Sequence, residues 1–242
     1  MEEFFNPSGT SLLVPSVQEL AKHNLSKVPQ RYIQPQQHEE IVVISKEVNG
    51  DLEIPVIDMH KLLSQEFGSS ELDKFHLACK EWGFFQLINH GVSSSFLDKL
   101  KLEIEDFFNL PITQECPTYF HNSLFHLVEG LQIKKDGMWV PVIPLPNAFV
   151  VNVGDILEII TNGIYRSIEH RATVNSEKER VSIATFYSPR HDAVIGPWPS
   201  LITKQTPPQF KRIQTMEYFK NFFARKLEGK AYRDALRIEH HD

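Results

Sequence analysis

The chain has 242 residues, 41% of them hydrophobic, and a formal net charge of −6. This length and apolar content suffice to bury a core as one or two domains. The acidic balance argues against a nucleic-acid partner, which would favour a basic patch, and no apolar run reaches membrane-spanning length. The two cysteines, Cys79 and Cys116, lie in different regions. They indicate reduced thiols, and with no signal-peptide pattern at the start of the chain we expect a cytoplasmic protein.

Residues 1–53 are predicted to be an N-terminal extension and linker. Ser16 is placed to cap a short helix. Residues 29–53 are rich in proline, glutamine and glutamate around one apolar run, which is typical of an extended linking segment.

Residues 54–112 have the pattern of a mixed helix and strand module. A strand should end at Asp58, which can cap the turn that follows, and a helix from Ser70 to Glu81 should end at Gly83. Residues 84–88 read as an apolar strand. Residues 95–108 predict a second helix, whose apolar stripe should pack in the core: Phe96, Leu97, Leu100, Ile104, Phe107 and Phe108.

From residue 131 onward the chain shows strand signals, followed by C-terminal helices. Residues 134–137 predict a hairpin turn, and residues 148–153 a further strand. Helices are expected over about 215–227 and 231–236. Four apolar side chains should pack this tail onto the body: Phe219, Phe222, Phe223 and Leu227.

A block over residues 154–189 carries most of the chemistry. Three apolar runs are separated by Asn162-Gly163 and by residues 175–179, and both separators are hairpin signals. A turn centred on residue 177 would place 172 opposite 182 and 170 opposite 184. Since side chains alternate along a strand, His170, Arg180 and Ser182 would then project from one face. An imidazole can bind a metal, and an arginine fork with a hydroxyl can hold a carboxylate.

Each of these residues also has a purely structural interpretation. An isolated strand histidine is more often a hydrogen-bonded core residue than a ligand, and His90 in the turn after residue 88 is interpreted in this way. Arg180 can be a surface charge that pairs with Glu177 or Glu169, an interaction that contributes little to stability. Only the joint placement of the three residues favours a site.

The surrounding motifs resemble a known family. Ser-x-x-His-Arg at 167–171 and Arg-x-Ser at 180–182 resemble the C-terminal half of the double-stranded β-helix of plant iron(II)/2-oxoglutarate-dependent dioxygenases. The pattern is nearest to the norcoclaurine-synthase-like and codeine-demethylase-like branch. Further stretches that carry the resemblance lie at 54–58, 78–86, 89–92, 130–139 and 145–155.

The resemblance implies an α+β fold with a double-stranded β-helix (jelly-roll, cupin-like) core, an N-terminal module and C-terminal helices. It implies Fe(II) and 2-oxoglutarate as cofactors, with ascorbate as a supporting reductant. His170 would be a metal ligand, and Arg180 with Ser182 would bind the co-substrate. The partner would be a small plant metabolite that is hydroxylated or O-demethylated, with no nucleic acid and no membrane involved.

The chain departs from the family at the other two metal ligands. The family supplies them as His-x-Asp on a strand before the 130–132 run, but only residues 112–127 lie between the two recognisable modules. Neither His121 nor His126 makes the motif. His38 and His240 do have a carboxylate two residues on, but the first lies in the extension and the second at the end of the chain. No catalytic residue is assigned, and the core is expected to be incomplete.

The expected division is therefore 54–112 for the N-terminal module, 113–127 for a junction replacing a missing segment, 128–192 for the C-terminal half of the dioxygenase domain and 193–242 for the tail. Three functions are compatible with it. The chain is a working dioxygenase, a truncated and silent product, or a module that binds a carboxylate or a full-length relative. The missing ligands favour impaired activity, and unpaired sheet edges predict self-association.

Overall fold

The computed structural model describes residues 53–108, 122–123, 130–173, 182–224 and 229–239, together with residues 20, 27, 29 and 33. The chain divides into two compact units, residues 1–41 and residues 42–242. All elements described below belong to the second unit. The predicted extension helix apart from residue 20, the junction apart from residues 122–123, and the turn at 175–179 lie outside the described residues.

The N-terminal module begins with strand β1 (Val56–Asp58) and helix α1 (Met59–Leu62). Asp58 caps α1, since its carboxylate accepts hydrogen bonds from the amides of His60 at 2.9 Å and Lys61 at 3.3 Å. These bonds and the side-chain amide of Asn89 lower the pKa of Asp58. The predicted strand end and cap are confirmed.

The next helix is longer than predicted and changes type. Helix α2 (Gly68–Leu77) continues as a π-helix (Ala78–Trp82), which ends at Gly83 with a φ of 62°. The π-turn brings both Ala78 and Cys79 into the core, whereas Leu72 is 55% exposed. Glu71 is buried at the neighbouring position because its carboxylate accepts the Asp58 amide at 2.7 Å.

A three-stranded sheet forms the back of the module. Strand β2 (Phe84–Ile88) lies between β1, to which it is parallel, and β6 (Phe149–Asn152), to which it is antiparallel. The buried amide of Gln86 joins the sheet to the segment before β6. It donates to the Ile143 carbonyl at 3.0 Å and accepts the Leu145 amide at 2.8 Å.

Helix α3 (Ser94–Phe108) confirms the predicted helix but not its burial. None of its residues is fully buried, and Phe96 and Phe107 are 57% and 40% exposed. The apolar stripe is therefore only partly covered by the part of the chain that the structure describes. The prediction that it packs in the core is wrong for these two side chains.

A second three-stranded sheet carries the C-terminal half of the fold. Its order is β5 (Met138–Pro141), β4 (Leu131–Lys135) and β7 (His170–Ala172), all antiparallel. Asp136 and Gly137 form the β4–β5 turn, both with positive φ, as a two-residue hairpin requires. Two-stranded sheets join β3 (Asn122–Ser123) to β8 (Ser182–Ile183), and β9 (Val194–Ile195) to β10 (Ile213–Gln214).

The first apolar run of the 154–189 block is a helix and not the predicted strand. Helix α4 (Asp155–Ile160) begins after an extended Gly154. Asn162 and Gly163, both with positive φ, end the helix instead of forming a hairpin, and the Gly163 amide donates to the Glu158 carbonyl at 2.9 Å. Ile159 is then fully buried against the C-terminal tail.

The tail consists of a 3₁₀ turn (Pro199–Leu201), helix α5 (Thr215–Phe223) and helix α6 (Ala231–Ala235). Phe219 and Phe222 pack against a cluster built from Ile159, Ile195, Phe210, Tyr218, Tyr232 and Leu236. Phe223, which was expected to join them, is 76% exposed at the last residue of α5, where its ring contacts only the edges of the cluster through Phe219 and Phe222. No helix among the described residues is both long and apolar enough to span a membrane.

Candidate metal and carboxylate site

His170 begins strand β7, opposite Ile133 of β4. Its Nδ1 donates to the Ile168 carbonyl at 3.2 Å, and its ring meets Phe84 edge-on with centroids 5.2 Å apart. This bond places the proton on Nδ1 and leaves the Nε2 lone pair for a ligand, because metal-binding histidines commonly donate their other ring N–H to a carbonyl or carboxylate oxygen. Part of the ring reaches solvent, and the orientation of the imidazole suits a metal ligand.

The surroundings of His170 favour the neutral form of its imidazole. Burial of part of the ring lowers the pKa of His170, and the nearby Lys230 ammonium acts in the same direction. The bond to Ile168 and the carboxylates of Asp155 and Glu169 oppose the shift without reversing it. A neutral imidazole is the form that coordinates a metal.

The strand that carries His170 is firmly attached to β4. The Lys134 amide donates to the Glu169 carbonyl at 2.8 Å, and the Thr173 amide to the Gly130 carbonyl at 2.7 Å. On the other face, the Arg171 guanidinium stacks on Trp139 at 4.0 Å. Its Nε also donates to the Gln132 side chain at 2.9 Å. The register of β7 is therefore fixed by backbone and side-chain contacts together.

The structure does not pair the strands as the sequence predicted. β7 pairs with β4, and β8, which carries Ser182, pairs with β3, so the two strands belong to different sheets. The predicted registers of 172 with 182 and 170 with 184 are wrong, because Ser182 pairs with Ser123 of β3 and β7 pairs with β4. Ser182 is half-buried opposite Ser123, and Arg180 lies outside the described residues.

Within the described ranges, no group of three His, Cys, Asp or Glu residues could hold a metal ion. A non-haem Fe(II) site needs two histidines and one carboxylate with open positions for substrates. The described donors therefore do not fit Fe(II) as a set, although His170 fits as one ligand. The remaining candidate histidines lie outside the described residues: His38, His121, His126 and His240.

His90 is a structural residue, as its place in a turn indicated. Its Nδ1 accepts the Val92 amide at 3.2 Å, and its Nε2 donates to the Asn147 carbonyl at 2.9 Å. The ring stacks on Phe149 with centroids 3.9 Å apart. Both nitrogens are occupied, which excludes metal binding in this arrangement.

An ion cluster that was not predicted from the sequence surrounds Ser167, three residues before His170. We call it the Glu158 cluster. The Glu158 carboxylate is 4% exposed and accepts three hydrogen bonds: from Arg233 at 2.9 Å, from Arg237 at 2.9 Å and from the Ser167 amide at 2.7 Å. Lys230 adds a second pair, since its Nζ donates to Asp155 at 2.8 Å and to the Ser167 hydroxyl at 2.7 Å.

The Glu158 cluster attaches the tail to the segment that leads into β7. Arg233 also donates to the Ser167 carbonyl at 3.1 Å, three residues before His170. Two signals in the sequence point to it. Glu158 is a lone charge within the apolar run 156–160, and Lys230, Arg233 and Arg237 recur at helical spacing.

Comparison with known proteins agrees with this architecture. Residues 112–189 match the model of the 2OG-Fe(II) oxygenase superfamily, and residues 54–115 match that of the non-haem dioxygenase in morphine synthesis N-terminal family. Among solved structures, JOX2 in complex with 2OG, Fe and JA has a TM-score of 0.75 at 22% identity, covering 94% of this chain and 99% of that one. The rice dioxygenase for auxin oxidation has a TM-score of 0.64 at 19% identity, covering 77% and 100%.

Curated relatives are more similar in sequence. Protein SRG1 of Arabidopsis thaliana is 37% identical over 95% of this chain and 98% of its own length. Codeine O-demethylase of Papaver somniferum is 34% identical over 95% and 98%. Oxoglutarate-dependent flavonoid 7-O-demethylase 1 of Ocimum basilicum is 34% identical over 96% and 93%.

The fold and the two family matches define an oxygenase of the Fe(II)- and 2-oxoglutarate-dependent class, built on a double-stranded β-helix. The 34% identity to oxoglutarate-dependent flavonoid 7-O-demethylase 1, over 96% of this chain, together with the two family matches, then shows that the chain belongs to the plant 2-oxoglutarate-dependent dioxygenases. The family and fold class predicted from the sequence are confirmed. Fe(II) and 2-oxoglutarate are the cofactors of this family.

The alignment with SRG1 also reveals an internal difference in length. It extends over 351 positions, whereas the chain has 242 residues. At least 109 positions of the alignment (351 minus 242) therefore have no counterpart in this chain.

Proposed function

We propose that this chain derives from a dioxygenase that hydroxylates or O-demethylates a small plant metabolite, and that its own oxidative activity is strongly impaired. The substrate class is supported by the relatives that are O-demethylases. The impairment rests on one observation, namely that His170 is the single recognisable metal ligand of the family.

A lone imidazole cannot retain Fe(II), because labile divalent iron exchanges its ligands with water and needs a chelating set. His170 is neutral, oriented and partly exposed, yet no second or third donor accompanies it among the described residues. The retained histidine is consistent with inheritance from a metalloenzyme, and the missing donors with loss of its metal.

We place the missing positions at the junction between the two family matches, which meet at residues 112–115. The 109 or more unmatched positions of the relative would then fall between the N-terminal module and strand β4. This is where the family's His-x-Asp strand is expected. An internal loss at this point removes two ligands while leaving both flanking modules recognisable.

The co-substrate anchor is the part of the site that we propose to be retained. Arg180 and Ser182 are two residues apart in the sequence, so on one extended strand both side chains would project to the same face. A guanidinium can donate two parallel hydrogen bonds to a carboxylate, and the hydroxyl can donate a third. The second candidate function, a module that binds a carboxylate without oxidation, rests on this pair.

Anaerobic titration of the purified chain with Fe(II) tests the proposal. We expect weak binding that His170→Ala changes by less than about twofold, since a single imidazole adds little to a site without chelation. His191→Ala, at an exposed turn position, is the matched control. Stoichiometric, tight Fe(II) retention that is abolished by His170→Ala but not by His191→Ala would contradict the proposal and restore a working dioxygenase.

A further inference from the structure

The segment that follows β8 is the most exposed apolar stretch of the described chain. After Ser182 and Ile183 pair with β3, residues 184–187 form no hydrogen bond with any other part that the structure describes. Phe186 is 86% exposed and Tyr187 is 95% exposed. Two adjacent aromatic side chains in water, on a backbone with unpaired donors and acceptors, are a strong signal for an interaction surface.

The composition of this segment favours strand pairing. Residues 182–187 read Ser-Ile-Ala-Thr-Phe-Tyr, with two β-branched and two aromatic residues and no charge, glycine or proline. Such residues have high strand propensity, and an uncharged run without proline lacks the features that usually protect a free edge. The segment can therefore extend the short β8 strand when a partner strand pairs with it.

We propose that residues 184–187 are a homodimerisation strand, which pairs antiparallel with the same segment of a second copy of this chain. A twofold arrangement is self-complementary, because each copy offers the same edge and the same side chains to the other. The chain carries a net charge of −6, which disfavours contact between copies elsewhere. This uncharged run brings no like charges opposite one another, so it is a suitable point for self-contact.

The size of the contact sets its strength. A buried aromatic side chain contributes about 150–250 Å², so two rings from each copy give roughly 600–1,000 Å². This is below the ~1,200 Å² of standard specific interfaces and within the range of weak, transient complexes. The dimer should therefore dissociate on dilution, with a Kd in the micromolar range or weaker, about −8 kcal/mol or less favourable.

The proposal does not depend on the proposed function. It rests on the exposure and composition of residues 184–187, so it holds whether or not the chain binds Fe(II) or 2-oxoglutarate. A failure of the metal test leaves it intact, and a failure of the dimer test leaves the metal proposal intact.

Sedimentation equilibrium of the full chain over about a hundredfold range of concentration around the micromolar Kd tests the proposal. We expect a reversible rise of the average mass from monomer to dimer. The double variant Phe186→Lys, Tyr187→Lys should weaken association at least about tenfold, because it replaces the four aromatic rings of the contact with four like charges close to the twofold axis. Phe223→Lys, at an aromatic position on α5 that is 76% exposed, is the control and should dimerise like the parent chain.

Hydrogen exchange identifies the contact directly. Amides 184–187 should exchange freely in dilute protein and become protected as the dimer forms, while those of α5 should not change. Because both substituted side chains are exposed, the double lysine variant should unfold at the same urea concentration as the parent, and Tyr187→Ser provides a milder second variant. A monomer at all concentrations, assemblies larger than a dimer, equal loss in Phe223→Lys, or protection of 184–187 in the monomer would each overturn the proposal.

Discussion

The Glu158 cluster and the proposed metal site lie on opposite ends of the same short segment, yet they differ in completeness. At Ser167, the backbone and hydroxyl are fully engaged by Glu158, Lys230 and Arg233. Three residues later, His170 presents a free Nε2 without described co-ligands. The contacts that position the histidine are present, and no further group that could complete a metal site is found among the described residues.

The residues that hold the segment before β7 in place are therefore different from the residues that would bind a metal. The Glu158 cluster joins α4, the segment before β7 and α6, all of which lie in the C-terminal half of the chain. The resemblance places the His-x-Asp ligands in the segment that the residue 112–127 junction would replace, whereas His170 follows that junction. The proposed loss at the junction would therefore remove the His-x-Asp ligands without removing any member of the Glu158 cluster.

The largest effect should follow from disrupting the Glu158 cluster. Glu158→Gln leaves Arg233 and Arg237 side by side without their shared carboxylate, and breaking a buried ion pair costs about 3–5 kcal/mol. We expect the free energy of unfolding in urea to fall by about 3 kcal/mol. Asp192→Asn makes the same chemical change in the exposed pair with Arg190 and should cost no more than about 1 kcal/mol. Equal losses of stability in the two variants would show that the buried Glu158 pairs contribute no more than the exposed Asp192 pair.

A somewhat smaller effect is expected at Gly83, where the N-terminal module meets the segment before His170. A Cβ at this position would lie 2.1 Å from the Arg166 carbonyl oxygen, and its φ of 62° is strained for other residues. Gly83→Ala should therefore cost more than about 2 kcal/mol in urea unfolding. Gly137 has a φ of 82° but open space around it, so Gly137→Ala measures the cost of the backbone conformation without a steric overlap. This substitution should cost about 1 kcal/mol in urea unfolding. If Gly83→Ala costs no more than Gly137→Ala, the close approach to Arg166 is not a constraint.

The smallest effect concerns the proposed carboxylate anchor. An exposed ion pair contributes about 0–1 kcal/mol, so 2-oxoglutarate should bind weakly, with a Kd on the order of 1 mM, and less tightly at high salt. Arg180→Leu should weaken this binding in an NMR titration, and Arg180→Lys should restore it only in part, since an ammonium cannot form the bidentate contact. Arg190→Leu, at an exposed arginine outside the anchor, serves as the control. Binding that is unaffected by Arg180→Leu would show that the anchor lies elsewhere.

Local signals in the sequence predicted the elements whose cause is local. The cap at Asp58, the termination at Gly83 and the Asp136-Gly137 turn each depend on the conformational preferences of one or two residues, and all three are present. Residues 155–160 were misassigned because a short apolar run is compatible with either a strand or a buried helix. The Glu158 carboxylate stabilises the helix by pairing with Arg233 and Arg237 of the C-terminal tail. These partners are distant in sequence, so a local pattern could not predict the contact.

Only those residues of the candidate site that belong to a sequence motif could be predicted. Ser-x-x-His-Arg located His170, and its orientation in the structure agrees with a ligand role. The pairing of β7 with β4 was not visible, because a hairpin turn at 175–179 was assumed to bring β7 next to β8. Strand pairing depends on contacts between segments that are distant in sequence, and a turn signal carries no information about those contacts.

Cys79 has a consequence for the chemical reactivity of the whole chain. Burial in the π-turn raises the pKa of the Cys79 thiol to about 11. The thiolate is the species that oxidants and alkylating reagents attack, so at neutral pH this sulfur is almost inert while the chain is folded. The Cys79 thiol of a folded sample should therefore survive a mild oxidant, and it would become reactive only on unfolding.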